Sequence, residues 1–200
     1  MRRLMFLMLM IPVIACAQDG YKVGDAVKDF KLKNVDGKFV SLKDMKDAKG
    51  AIVVFTCNTC PYAQAYEQRV IDLHNKFASA GYPVIAINPN DPNVQPGDSF
   101  DKMAERARDK KYPFAYVMDE TQEVAKAFGA TRTPHVYLLQ KKGEQFEVAY
   151  IGAIDDNTED GSLAKNKYVE LAVDALNKGQ KPATNFTKAI GCTIKWKKSS

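Results

Sequence analysis

Cys57 and Cys60 are separated by Asn58 and Thr59 and stand between an apolar run over residues 51–56 and Pro61. Behind Pro61, the apolar residues Ala63, Tyr66, Val70, Leu73 and Phe77 recur at helical spacing. A short continuous apolar run fits a strand buried on both faces, and proline is tolerated in a first helical turn. The local order is therefore strand, cysteine pair, helix. A Cys-x-x-Cys placed there brings two sulfurs within disulfide reach and sets the first in the field of unpaired helix N–H groups. Those donors lower a thiol pKa from ~8.5 into roughly the 3.5–7.5 range. Cys57 is then expected to attack, and Cys60, one turn further in, to resolve the mixed disulfide.

Other uses of the pair fit less well. Zinc needs two more ligands, and the chain offers one such motif and only His74 and His135. Covalent haem attachment needs a histidine where Pro61 stands. A purely structural bridge over so few residues closes a small loop and adds little stability. The predicted chemistry is thiol–disulfide exchange, without a metal or cofactor.

Elements that position the pair can be read on either side. Residues 1–17 carry Arg2 and Arg3, an apolar stretch over residues 4–14 and the small residues Ala15, Cys16 and Ala17. That is the layout of a secretory signal, and eleven apolar residues are too few to span ~30 Å of hydrocarbon. Cleavage after Ala17 is favoured over lipidation of Cys16, because the domain pattern begins within a few residues. The expectation is an exported protein of the bacterial periplasm or cell envelope. With residues 1–17 removed, 183 remain and the formal charge falls from +5 to +3 as Arg2 and Arg3 leave. Such a length suits one domain, and interspersed Lys and Glu give no broad basic face for nucleic acid.

Extended segments flank an Asp36-Gly37 turn within residues 25–42, and residues 83–87 read as a strand parallel to residues 51–56. Asp98 and Ser99 can cap a helix carrying Phe100, Met103, Ala104 and Ala107. Residues 114–118 read as a strand, and residues 121–128 as a helix ended by Gly129. Residues 135–139 and 146–151 form a hairpin, and residues 163–177 a last helix with Tyr168, Leu171, Ala172 and Leu176 on one face. This is a three-layer α/β pattern. Beyond it, Ile190, Cys192, Ile194 and Trp196 alternate, which predicts that residues 181–200 pack back on the domain with Trp196 over apolar surface. An isolated cysteine on such a face is most simply a small buried hydrophobe, although Cys192 could be a third thiol that takes the disulfide from Cys57.

From Val23 to Gly179 the chain resembles the thioredoxin superfamily, and within it the redoxin branch of AhpC/TSA-type, peroxiredoxin-like proteins that carry a Cys-x-x-Cys. The resemblance rests on residues 24–30, Asp36-Gly37, residues 57–62, 87–91 and 119–122, Thr133-Pro134 and residues 190–196. It implies a thioredoxin-like fold over residues 18–180, with a central mixed sheet flanked by helices, an N-terminal extended hairpin and a C-terminal tail. It also implies that Cys57 and Cys60 are the redox pair. Pro134 then corresponds to the cis-proline beside the sulfurs, and the Thr133 backbone to the place where a substrate strand docks. Substrates would be protein or low-molecular-weight disulfides and thiols, with an electron donor that the resemblance does not specify. The acid that thioredoxins bury six residues before the first cysteine is Ala51 here, leaving Glu67 or water to move the resolving proton. The threonine that peroxiredoxins place three residues before their reactive cysteine is Val54, which argues against the standard peroxide site. Copper-delivering relatives combine two cysteines followed by proline with a histidine, and they space the cysteines one residue further apart; His135 here reads as an ordinary strand residue beside the proline.

Overall fold

The computed structural model describes residues 20–198. The signal-like segment with Cys16 lies outside the described residues. The framework of the fold is an eight-stranded mixed sheet. Two strands lie at its centre: β4 (Gly50–Phe55), the apolar run that precedes the cysteines, and β5 (Val84–Asn88), parallel to it. Beyond β5 lie β6 (Ala115–Met118), parallel to it, and then the antiparallel pair β2 (Lys31–Asn34) and β3 (Phe39–Ser41) around the Asp36-Gly37 turn. On the other side of β4 runs the antiparallel hairpin of β8 (His135–Lys142) and β9 (Gln145–Gly152), edged by β1 (Ala26–Val27).

Alternation along β4 divides the core. Ala51, Val53 and Phe55 join Phe128 and Tyr137 on one face, beneath α3 (Glu123–Phe128). Ile52 and Val54 meet the other face, where α1 (Pro61–Phe77) contributes Tyr66, Val70, Leu73 and Phe77, and α4 (Tyr168–Asn177) contributes Val169, Ala172, Val173 and Leu176. Met103 of α2 (Phe100–Asp109) packs on Ala86 and Tyr116. Both sheet faces are thus covered, as a buried parallel centre requires. This is the three-layer thioredoxin-like fold.

Three elements differ from expectation. The last helix begins at Tyr168, and residues 161–163 form a separate 3-10 turn. The Asp156 carboxylate accepts the Lys165 and Asn166 N–H groups and the Asn166 amide, diverting that backbone from a helix. The buried face is accordingly shifted, and Leu171 is 58 % exposed. In the tail, Ile194 is the buried anchor, while Ile190 and Trp196 remain exposed. Among the described residues the tail forms one strand, β10 (Cys192–Thr193), which is two residues long and pairs antiparallel with β7 (Arg132–Thr133), so strict alternation does not extend to Trp196. The third difference is Asp98, which does not cap α2.

Candidate active site

Where β4 gives way to α1, the chain delivers both motif cysteines into the interior. Cys57 and Cys60 are 5 % and 4 % exposed. Cys60 is the N-cap residue of α1, with Pro61 opening the first turn. Across from them stands Thr133, joined by a cis peptide to Pro134. Thr133 meets both sulfurs: its Oγ1 lies 3.3 Å from Cys57 Sγ, and its carbonyl accepts from Cys60 Sγ at 3.1 Å. Cys192 packs on the same cluster and is only partly buried, so it is not the enclosed hydrophobe that the sequence suggests. Its thiol and N–H both help to lower the pKa of Cys60.

The acid that serves the motif is Asp98. It is fully buried, and its Oδ1 accepts from the N–H groups of Asn58 and Thr59 at 2.7 and 3.2 Å. Its Oδ2 accepts from Thr59 Oγ1 at 2.9 Å and from Asn90 Nδ2 at 2.7 Å. Ser99 takes the N-cap position of α2 but makes no capping bond through its side chain. The rest of the loop is held as firmly. Asn58 donates to the Gly97 carbonyl and accepts from the Tyr116 hydroxyl, while Gln64 donates to the Asn58 carbonyl. Gly97 permits this approach, because a Cβ there would come within 2.6 Å of the Thr59 methyl. An acid before a helix reads as a cap from sequence alone. Its reach back to residues 58 and 59 is a tertiary fact without a local signal.

Glu67 has other work. It accepts from Arg106 Nε and the Tyr112 hydroxyl at 2.6 Å each and pairs with Lys110 at 3.2 Å. Burial alone would raise its pKa, but those donors prevail and hold it lowered. It is a fixed anion tying α1 to α2, so the expectation that it carries a proton for Cys60 is set aside. His135 is buried against Tyr137, with ring centroids 4.8 Å apart, and its Nδ1 has no partner. Among the described residues, no group of three or more His, Cys, Asp or Glu side chains is disposed to hold a metal ion.

The two motif thiols ionise as a pair. Cys60 is lowered to about 4, first because the Cys57 thiol donates to it, with the Cys192 thiol and the Ala63 and Cys192 N–H groups as further donors against the cost of burial. Cys57 is raised by its hydrogen bond to Cys60, by burial and by the Asp98 charge. The helix-terminal donor assigned to Cys57 in the sequence reading thus serves Cys60, which sits at the N-cap itself.

Residues 23–146 match the AhpC/TSA family. The chain belongs to that family. This AhpC/TSA member is a thiol-dependent redox protein of the thioredoxin superfamily, on the redoxin branch. It is 22 % identical over 139 residues to the thiol-disulfide oxidoreductase ResA of Halalkalibacterium halodurans, covering 70 % of this chain and 74 % of that one. It is 29 % identical over 129 residues to the chloroplastic peroxiredoxin Q of Populus jackii, covering 60 % and 56 % respectively. A crystal structure of an uncharacterized conserved protein from Geobacillus kaustophilus superposes with a TM-score of 0.82 at 35 % identity, covering 90 % of this chain and 94 % of that one.

Proposed function

We propose that this AhpC/TSA protein is an exported thiol–disulfide oxidoreductase that cycles Cys57 and Cys60 between dithiol and disulfide. The observation that carries this reading is the pair itself: two buried sulfurs at the start of a helix, both touching Thr133. A thiolate held by N–H donors attacks a partner disulfide, and its neighbour displaces the reduced product. Thr133 and Pro134 are the substrate-facing residues, protein or small thiols and disulfides the partners, and an external donor restores the dithiol. Likeness to ResA supports exchange between thiols and disulfides. Export is supported by the signal-like residues 1–17, and no helix among the described residues is long and apolar enough to cross a membrane.

The test is reduction of insulin disulfides driven by dithiothreitol, with Cys57→Ser and Cys60→Ser expected to abolish it. Wild-type turnover no faster than dithiothreitol alone overturns the reading. Likeness to peroxiredoxin Q favours a second reading, peroxide reduction at Cys57. Its measure is steady-state peroxide consumption, which must exceed that of a free thiol and vanish in Cys57→Ser. Val54, wholly buried in the core, offers no hydroxyl to a peroxide there.

A further inference from the structure

The edge of Thr133 that faces both sulfurs is already occupied. The tail lays Cys192 opposite Thr133 and Thr193 opposite Arg132 in antiparallel register. Ile194 continues the pairing through its N–H to the Thr131 carbonyl at 3.2 Å and is buried in the core. Gly191 makes the approach possible, since a Cβ there would fall on the Thr133 carbonyl. Lys195 then locks the tail: its carbonyl accepts from the Asp91 N–H, and its own N–H donates to Asn90 Oδ1, each at 2.9 Å. A partner strand cannot reach Thr133 without displacing this segment, and neither Cys57 nor Cys60 is open to solvent. Of the three clustered thiols, Cys192 is the one that is partly exposed.

We propose that the tail is a tethered substrate strand and Cys192 a third catalytic thiol, which exchanges with the Cys57–Cys60 disulfide at Cys60 and carries the disulfide to the surface. This rests on the dithiol–disulfide reading and names how partners gain access to it. In the step, the Cys192 thiolate attacks Cys60 Sγ, the Cys60–Cys192 bond forms and the Cys57–Cys60 bond breaks. The electron pair leaves on Cys57, which takes up the proton given up by Cys192. One disulfide and one thiol stand on each side, so no outside oxidant or reductant is required. Thr133 Oγ1 is placed to donate to the departing Cys57 sulfur.

Electrostatics supports the order of events. In the reduced protein the Cys192 pKa is pushed up to about 11, first by burial, then by its hydrogen bond to Cys60 and the charge there. The last two causes disappear once Cys60 is in a disulfide, while the Lys195 ammonium still favours the thiolate. Oxidation of the motif therefore moves Cys192 towards the thiolate, while burial still opposes it, and reduction moves it back. A partner thiol meets the disulfide at Cys192, where solvent reaches it.

The experiment uses the full chain. Cys57→Ser is treated with diamide, quenched in acid and mapped under non-reducing conditions; an intramolecular Cys60–Cys192 bridge is expected in most molecules. Recovery only of intermolecular dimers or of unbridged Cys60 and Cys192 overturns the inference. In parallel, Cys192→Ser and Cys192→Ala are expected to reduce insulin at least tenfold more slowly than wild type, with native-like circular dichroism. Wild-type rates in either folded variant overturn it too. Formation of the Cys57–Cys60 bond in oxidised Cys192→Ser scores the underlying reading separately, because that bond does not involve the tail.

Discussion

Replacing Asp98 by Asn removes one charge and changes one donor–acceptor relation in the loop that presents the cysteines. The new side chain can leave its oxygen where Oδ1 stood, keeping the bonds from the Asn58 and Thr59 N–H groups. Its amide nitrogen then faces Asn90 Nδ2, donor against donor, at a site now 2.7 Å across. Asn90 cannot turn over freely, because its Oδ1 already accepts from Lys195 N–H and would be lost to the tail. Losing one charge-assisted bond costs ~1.5–3 kcal/mol, and stranding a buried donor ~1–3 kcal/mol. Relief from burying a carboxylate offsets part of this, leaving a net loss of about 2–3 kcal/mol. For a chain of this size that is a fall in Tm of roughly 5–10 °C. Urea and thermal unfolding of the reduced protein measure it. A second readout is the ultraviolet absorbance of thiolate against pH: the second ionisation of the Cys57–Cys60 pair is expected at lower pH, since the Asp98 charge is one of the causes holding Cys57 up. Stability within ~0.5 kcal/mol of wild type together with an unchanged thiol titration would refute the role given to this carboxylate.

Two further outcomes concern His135 and Gly191. The His135 pKa is pushed down from 6.5 to about 4 by burial and then by the Arg132 charge. Between those values the unfolded chain binds a proton that the native state refuses. Stability present above pH 6.5 is therefore lost as pH falls towards 4, by at most ~3 kcal/mol. His135→Phe is expected to flatten that slope in urea unfolding across the range, and an equally steep slope in the variant refutes the assignment. Gly191→Ala drives a Cβ into the Thr133 carbonyl and lifts the tail. Each ~1.4 kcal/mol of lost tail affinity exposes the cluster tenfold more often. Iodoacetamide is expected to label Cys60 about tenfold faster than in wild type, and unchanged labelling would show that the tail does not cover it.

The layers of the fold were legible because their signals are local. Residues 51–55 alternate between two covered faces, Ala63 to Phe77 keep helical spacing, and Asp36-Gly37 marks a turn between two strands. The cysteine pair and its nearness to Thr133 were legible through motif and resemblance. Asp98 was not, since the same residue before a helix satisfies the capping pattern without any tertiary contact. Nor was the dominance of Ile194 over Trp196 in the tail. Alternation says which residues share a face, while depth depends on what lies opposite, and β7 offers the tail only two residues to pair with. The start of α4 was hidden for a related reason: Asp156 draws backbone donors nine and ten residues along the chain, which no helical pattern registers.

Asn90 holds Asp98 through its amide nitrogen and Lys195 through its oxygen, so a single carboxamide belongs to both the motif loop and the tail. Two equilibria that meet at one rigid group are thermodynamically linked, and the linkage is reciprocal. Whatever free energy the oxidised motif adds to or removes from the seating of residues 192–195, the seated tail must return, unchanged in size, to the oxidation of the motif. A partner that peels the tail away then moves the midpoint potential of the cysteines by that same free energy, whatever its size.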